Sequence, residues 1–142
     1  MSEHPQPGDI WDYPYLWARQ AQSGETEGRK PRPVAVAVLL ERADGRTGIM
    51  MLAITSQAPG PDRRALEIPQ TERRRAGLDL ERRLWVILDE HNRDIVETSF
   101  YLEPQGWIGA LSARFRKQVQ AAFVTALRER GSAPVRRDRA DG

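Results

Sequence analysis

Val34-Ala-Val-Ala-Val-Leu-Leu40 is an unbroken apolar run of strand length, rich in β-branched residues, and a few residues later Asp44-Gly45 supplies the pair that closes a hairpin. The second apolar run, Ile49-Met-Met-Leu-Ala-Ile-Thr55, is its natural partner, so a buried strand pair is predicted at the centre of the chain. Upstream, Ile10, Trp11, Tyr13, Tyr15, Leu16 and Trp17 crowd around Pro14, the pattern of a first strand over Asp9–Trp17 that is bent at the proline and kept by it at a sheet edge. From Ala18 to Arg32 the sequence is polar and carries Gly24, Gly28 and Pro31, which predicts a long exposed loop, and Ala58-Pro-Gly-Pro-Asp62 forces another. Leu66–Pro69 reads as a short strand, Thr71–Ala76 as a helical turn stopped by Gly77, Leu84–Leu88 as a strand, and Asp94–Leu102 as the last strand before Pro104. Phe115, Val119, Ala122, Phe123, Ala126 and Leu127 then recur at helical spacing between a Ser112 cap and Gly131.

Several short strands with turn signals and one terminal helix predict a mainly β fold, a small barrel or curled sheet, and not a parallel α/β fold. Residues 1–131 are expected to form one domain, and the arginine-rich tail 132–142, with Arg136, Arg137 and Arg139 but little apolar content, to be disordered. At 142 residues, 39% hydrophobic and 30% charged, the chain is long enough for one core and has an ordinary globular composition. It contains no cysteine, which removes disulfides, thiolate metal sites and thiol catalysis. The longest apolar stretch, Pro33–Leu40, is too short to span a bilayer and the first residues lack a signal core, so a cytoplasmic location without membrane attachment is expected.

Of the 22 basic residues only Lys30 and Lys117 are lysines, and the net charge is +2. Arginine suits planar, bidentate recognition of phosphate, so the bias fits a nucleic-acid footprint; it follows equally from a GC-rich genome that codes arginine by default. The histidines are His4 and His91, and no metal-ligand set, glycine-rich phosphate loop or Gly-x-Ser-x-Gly elbow is visible. Neither a metal nor a cofactor is therefore expected. One chemistry that needs neither is cleavage of RNA by its own 2′-OH, which asks for proton transfer and positive charge beside the crowded phosphate.

Gly8-Asp9-Ile10 opening the first strand, Arg32-Pro33-Val34 entering the second and Ile54-Thr55 closing the third resemble, in order and spacing, the MazF/PemK family of toxins. Leu84-Trp-Val-Ile-Leu-Asp-Glu-His-Asn-Arg93 looks like that family's strand ending in a glutamate followed three residues later by an arginine, and the likeness covers Pro7 to Arg130. The resemblance implies an SH3-like barrel with a C-terminal helix, also shared with CcdB toxins. It further implies a homodimer that cuts single-stranded RNA, leaving a 2′,3′-cyclic phosphate and a 5′-hydroxyl, and that is silenced by a cognate antitoxin peptide. Its catalytic pair falls on Arg32 and Thr55, with RNA contacts at Glu27, Arg29, Lys30, Ser56, Glu90 and Arg93. The loop before Arg32 is longer than in the simplest members, and Glu27-Gly28-Arg29-Lys30-Pro31 replaces a glycine-rich approach.

Other readings of these residues stand beside that one. Glu90 and Arg93 also suit an ion pair or a turn lock, and His91, whose ordinary pKa lies near neutrality, is a tempting base that reads better as an incidental loop histidine. Arg63-Arg64 and Arg73-Arg74-Arg75 suit a solvated face, and Trp11, Tyr13, Tyr15 and Trp17 suit core or dimer packing better than base stacking. The competing functions are a non-catalytic barrel that binds a protein target, as CcdB does, and an RNA-binding module that does not cut. The tail lacks the C-terminal tryptophan on which CcdB-type action depends.

Overall fold

The hairpin formed by the two central apolar runs is the spine of the fold. In the computed structural model, which describes residues 4–25, 30–129 and 131–138, β2 (Arg32–Glu41) and β3 (Thr47–Thr55) pair antiparallel from Val34↔Ala53 to Glu41↔Thr47. One side of β2 takes β1 (Asp9–Tyr13), with Tyr13 opposite Arg32 and Ile10 opposite Ala35. The far side of β1 takes β7 (Trp107–Ala110). The first strand is therefore interior, not at an edge. Pro14 falls one residue beyond the ladder, so its missing N–H removes no ladder bond.

β3 changes partners along its length. Its first half pairs with β6 (Glu90–Ile95), and its last residues, Ile54 and Thr55, pair with Val86 and Trp85 of β5 (Leu84–Ile87), which in turn pairs with β4 (Ala65–Ile68). Register shifts between Ile10 and Trp11 and between Val36 and Val38 add local bend and twist. The result is a mainly β protein, a curled antiparallel half-barrel sheet carrying a helix near its C-terminal end.

That helix, α3 (Ala113–Arg128), starts at Ser112, whose Oγ accepts from the Phe115 N–H at 3.1 Å. Phe115, Val119 and Phe123 pack on Ile10, Ala35, Leu52 and Ile54 on one face of the sheet. Trp11, Tyr13, Tyr15 and Trp17 pack with Val34, Val36, Met51 and Ala53 on the other, so the aromatic cluster is core. Two short helices complete the fold: α1 (Ala18–Gln22) inside the segment expected to be loop, and α2 (Gln70–Ala76), which ends on Gly77 at φ 74°, a left-handed conformation that glycine adopts without steric cost. Among the described residues no helix is long and apolar enough to cross a membrane.

Two sequence expectations are corrected here. The strand predicted over Asp94–Leu102 starts earlier and stops at Ile95. Asp94 then accepts from Tyr13 Oη at 2.7 Å, Ser99 Oγ at 2.7 Å and the Ile95 N–H at 2.8 Å, which fixes a turn and not a ladder. The tail is not disordered over its first part: Ala133–Arg136 forms β8, parallel to β6. It is held by the buried Val135 and by the Arg137 guanidinium, which lies 4.5 Å from the Tyr101 ring centroid and 5.3 Å from that of Tyr13.

Candidate nucleic-acid interface

Gly8, at φ 91°, turns the chain into β1 in a conformation that disfavours any residue with a Cβ, and its N–H donates to the Val36 carbonyl at 2.8 Å. This locks β1 onto β2, and the shared register then decides which side chains meet. Continued past Val34↔Ala53, the β2–β3 register sets Arg32 opposite Thr55, and Thr55 is in turn opposite Trp85 on β5. Directly opposed residues share a face with Cβ atoms about 5 Å apart. Arg32, Thr55 and Trp85 thus form a row across three strands at one end of the sheet.

An open groove of about 290 Å³ runs along that end. Its lining includes Arg32, Thr55 and Ser56 from the strand ends and Leu78, Asp79 and Arg82 from the loop after α2. Thr55 is half-buried, and its Oγ1 accepts from the Gln57 N–H at 3.1 Å, which fixes the rotamer and leaves the hydroxyl proton free to donate. Arg32 is half-buried with its Cζ 5.2 Å from the Trp17 ring centroid. Burial, and secondarily the positive charge of Arg19, lower the Arg32 pKa from its ordinary value. The described residues provide Arg32 with no carboxylate partner. Asp79 Oδ1 accepts from the Glu81 N–H at 2.8 Å, and Arg82 Nε lies 3.7 Å from Asp79 Oδ2, so the lining also carries a carboxylate–guanidinium pair of its own.

The expected site is thus partly assembled. Arg32, Thr55 and Ser56 come together, and Lys30 is exposed close by in sequence. Glu27 and Arg29 lie outside the described residues. Glu90 does not face a groove: it is 6% exposed, and its carboxylate accepts from Tyr15 Oη at 3.1 Å, the Ala18 N–H at 2.9 Å and Arg63 Nη2 at 3.2 Å. It anchors the segment that carries Trp17, the ring beneath Arg32. Arg93, half-buried on β6, donates from Nε to His91 Nε2 at 3.1 Å and does not line this groove. Arg63 also forks onto Asp89 at 2.7 Å, Arg64 pairs with Glu129, and Arg73 is buried with its guanidinium on the Asp79, Leu80 and Arg82 carbonyls. The sequence reading missed Asp79, Arg82 and Trp85, whose only signal was position beside a strand start.

His91 is not a base for this groove. It is fully buried, edge-on to Phe123 with ring centroids 5.0 Å apart. Because arginine can only donate, Nε2 accepts and Nδ1 carries the proton, which it donates to Ser132 Oγ at 2.9 Å. Burial first and the Arg93 charge second push its pKa down to about 4. The folded state holds a neutral imidazole where the unfolded chain takes up a proton near pH 6.5. Its contribution to stability is therefore intact above pH 6.5 and is lost as pH falls toward 4. Thermal melts from pH 7 to 4 are expected to show this loss, and a His91→Gln variant to show a shallower slope; equal slopes would refute the assignment.

Among the described residues there is no group of three or more His, Cys, Asp or Glu side chains able to hold a metal ion. Comparison with models of protein families and with curated proteins finds no match.

Proposed function

We propose that this protein is a metal-independent, sequence-specific endoribonuclease of the MazF/PemK type, the toxin of a type II toxin–antitoxin pair. The observation that carries the reading is the Arg32–Thr55 pair: an arginine without a carboxylate partner among the described residues and a hydroxyl on the neighbouring strand, both lining one open groove. The substrate is single-stranded RNA. Its 2′-oxygen attacks the adjacent phosphorus, the bond to the 5′-oxygen breaks, the proton lost from the 2′-OH goes to a base and the leaving oxygen takes one up. The products are a 2′,3′-cyclic phosphate and a 5′-hydroxyl. Arg32 neutralises the charge that builds on the non-bridging oxygens, and Thr55 donates to one of them. Asp79, the one carboxylate among the described lining residues, is the groove's candidate to accept the 2′ proton. The same reading carries an SH3-like barrel, a homodimer with RNA across both subunits, a cytoplasmic location and an antitoxin peptide that occludes the groove.

The test is incubation of purified protein with RNA in EDTA. Expected are discrete fragments whose 5′ ends accept phosphate from a kinase without prior phosphatase treatment. Uncut RNA would overturn the nuclease reading. A second reading, RNA binding without cleavage, is favoured by one observation: among the described residues the groove is lined by no histidine, and its one acid lies beside Arg82. Shifted but intact RNA on a native gel would select it.

A further inference from the structure

Several arginines of this chain are matched to acids: Arg42 pairs with Asp44 at 3.1 Å, Arg63 with Asp89 at 2.7 Å, Arg83 with Glu67 at 2.6 Å and Arg136 with Asp138 at 2.7 Å. Arg19 and Arg32 are placed differently, together on one aromatic ring. Their Cζ atoms lie 5.1 and 5.2 Å from the centroid of one indole, that of Trp17, and among the described residues neither guanidinium has a carboxylate partner. The two charges are close enough that Arg19 acts to lower the Arg32 pKa. Holding like charges against one ring has an electrostatic cost that a bound anion would relieve.

The support beneath them is rigid. Trp17 is 7% exposed, so its ring is no platform for a base but serves as a backing that attracts both cations. Leu16 is pinned on both backbone groups by Asn92, donating to Oδ1 at 2.9 Å and accepting from Nδ2 at 2.7 Å. The Ala18 N–H is taken by Glu90, and the Trp17 N–H by Gln20 Oε1 at 3.1 Å. Arg32 lines the groove together with Thr55, whereas Arg19, exposed on α1, does not line it. The positive charge therefore continues beyond the groove in one direction, past Trp17.

We infer that Arg19, Trp17 and Arg32 form a clamp for two consecutive phosphodiesters of a single polynucleotide strand, with Arg19 holding the phosphate next to the one held by Arg32. The inference rests on the RNA reading of the groove and adds what that reading lacks, a required substrate length of more than one phosphate and a direction in which the strand leaves. Arg19 binds and does not touch the reacting atoms.

Binding is measured with a DNA oligonucleotide, which lacks the 2′-OH and cannot be cut, by fluorescence anisotropy across a salt series. For Arg19→Gln the affinity is expected to fall about five- to tenfold, and the slope of log K against log salt to shrink by roughly 0.7, the share of one single-strand phosphate. Arg19→Lys is expected to recover the slope, and an unchanged melting temperature excludes a folding defect. A dinucleoside monophosphate, with one phosphate, should bind wild type and Arg19→Gln alike. Unchanged slope and affinity in Arg19→Gln would overturn the clamp while leaving RNA cleavage standing. A normal Arg19 effect with no cleavage of the matching RNA would overturn the nuclease and keep the clamp.

Discussion

Arg32→Ala is expected to slow RNA cleavage by about 10²- to 10³-fold, the usual cost of removing one preorganised donor to a developing oxyanion. The basis is geometric: Arg32 is set opposite Thr55 by the β2–β3 register, backed by Trp17 at 5.2 Å, and free of any carboxylate among the described residues. Stability should change little, because the ring contact is worth about 0.5–1 kcal/mol at a partly exposed site and its loss is offset by relief of the repulsion from Arg19. Arg32→Lys keeps the charge but not the planar fork, so it should fall between wild type and alanine. Thr55→Val, which preserves shape and removes the donor, is expected to cost about tenfold. Initial rates on one labelled RNA, with circular dichroism to verify folding, decide the matter. An alanine variant within threefold of wild type would remove Arg32 from the chemistry.

Patterns that depend only on neighbours in sequence were legible. The hairpin, the α3 cap at Ser112, the stop at Gly77 and the short β4 and β5 strands all follow from local periodicity and turn chemistry. What escaped was set by distant partners. No sequence pattern marked β7, which runs through Gly109 where the Ala76 backbone of α2 packs in the space a Cβ would take. Ala133–Arg136 looks like polar tail, yet one buried valine and one arginine over Tyr13 and Tyr101 hold it as β8. The candidate site divides in the same way. Arg32 and Thr55 stood out through the MazF/PemK resemblance, whose catalytic pair falls on them; the hairpin between the two apolar runs brings the strand ends that carry them together. Asp79 and Arg82 did not stand out, since a loop after a one-turn helix gives no periodic clue to the groove it lines. Glu90 carried two readings, an RNA contact and an ion pair, because sequence cannot tell a carboxylate facing solvent from one turned inward to a tyrosine hydroxyl, a backbone N–H and an arginine.

Glu90→Leu should therefore act on stability before function, with an expected loss of about 3–5 kcal/mol. The substitution keeps the volume and strands the Tyr15 hydroxyl and the Ala18 N–H, both bonded to the carboxylate, while Arg63 keeps only Asp89. Glu90→Gln retains one acceptor and should lose about 1–2 kcal/mol. The Gln variant is the informative one, since it folds with a looser hold on Ala18 and hence on Trp17, the ring that backs Arg19 and Arg32. Urea unfolding run beside RNA binding separates the two roles. An anchoring glutamate predicts a lower midpoint together with weaker RNA affinity, and partial recovery of that affinity on cooling or in an uncharged stabilising osmolyte such as sucrose as the segment tightens. A contacting glutamate predicts an unchanged midpoint and a change in RNA affinity alone. The buried carboxylate, with an acceptor site for each of three donors and little solvent exposure, argues for the first outcome.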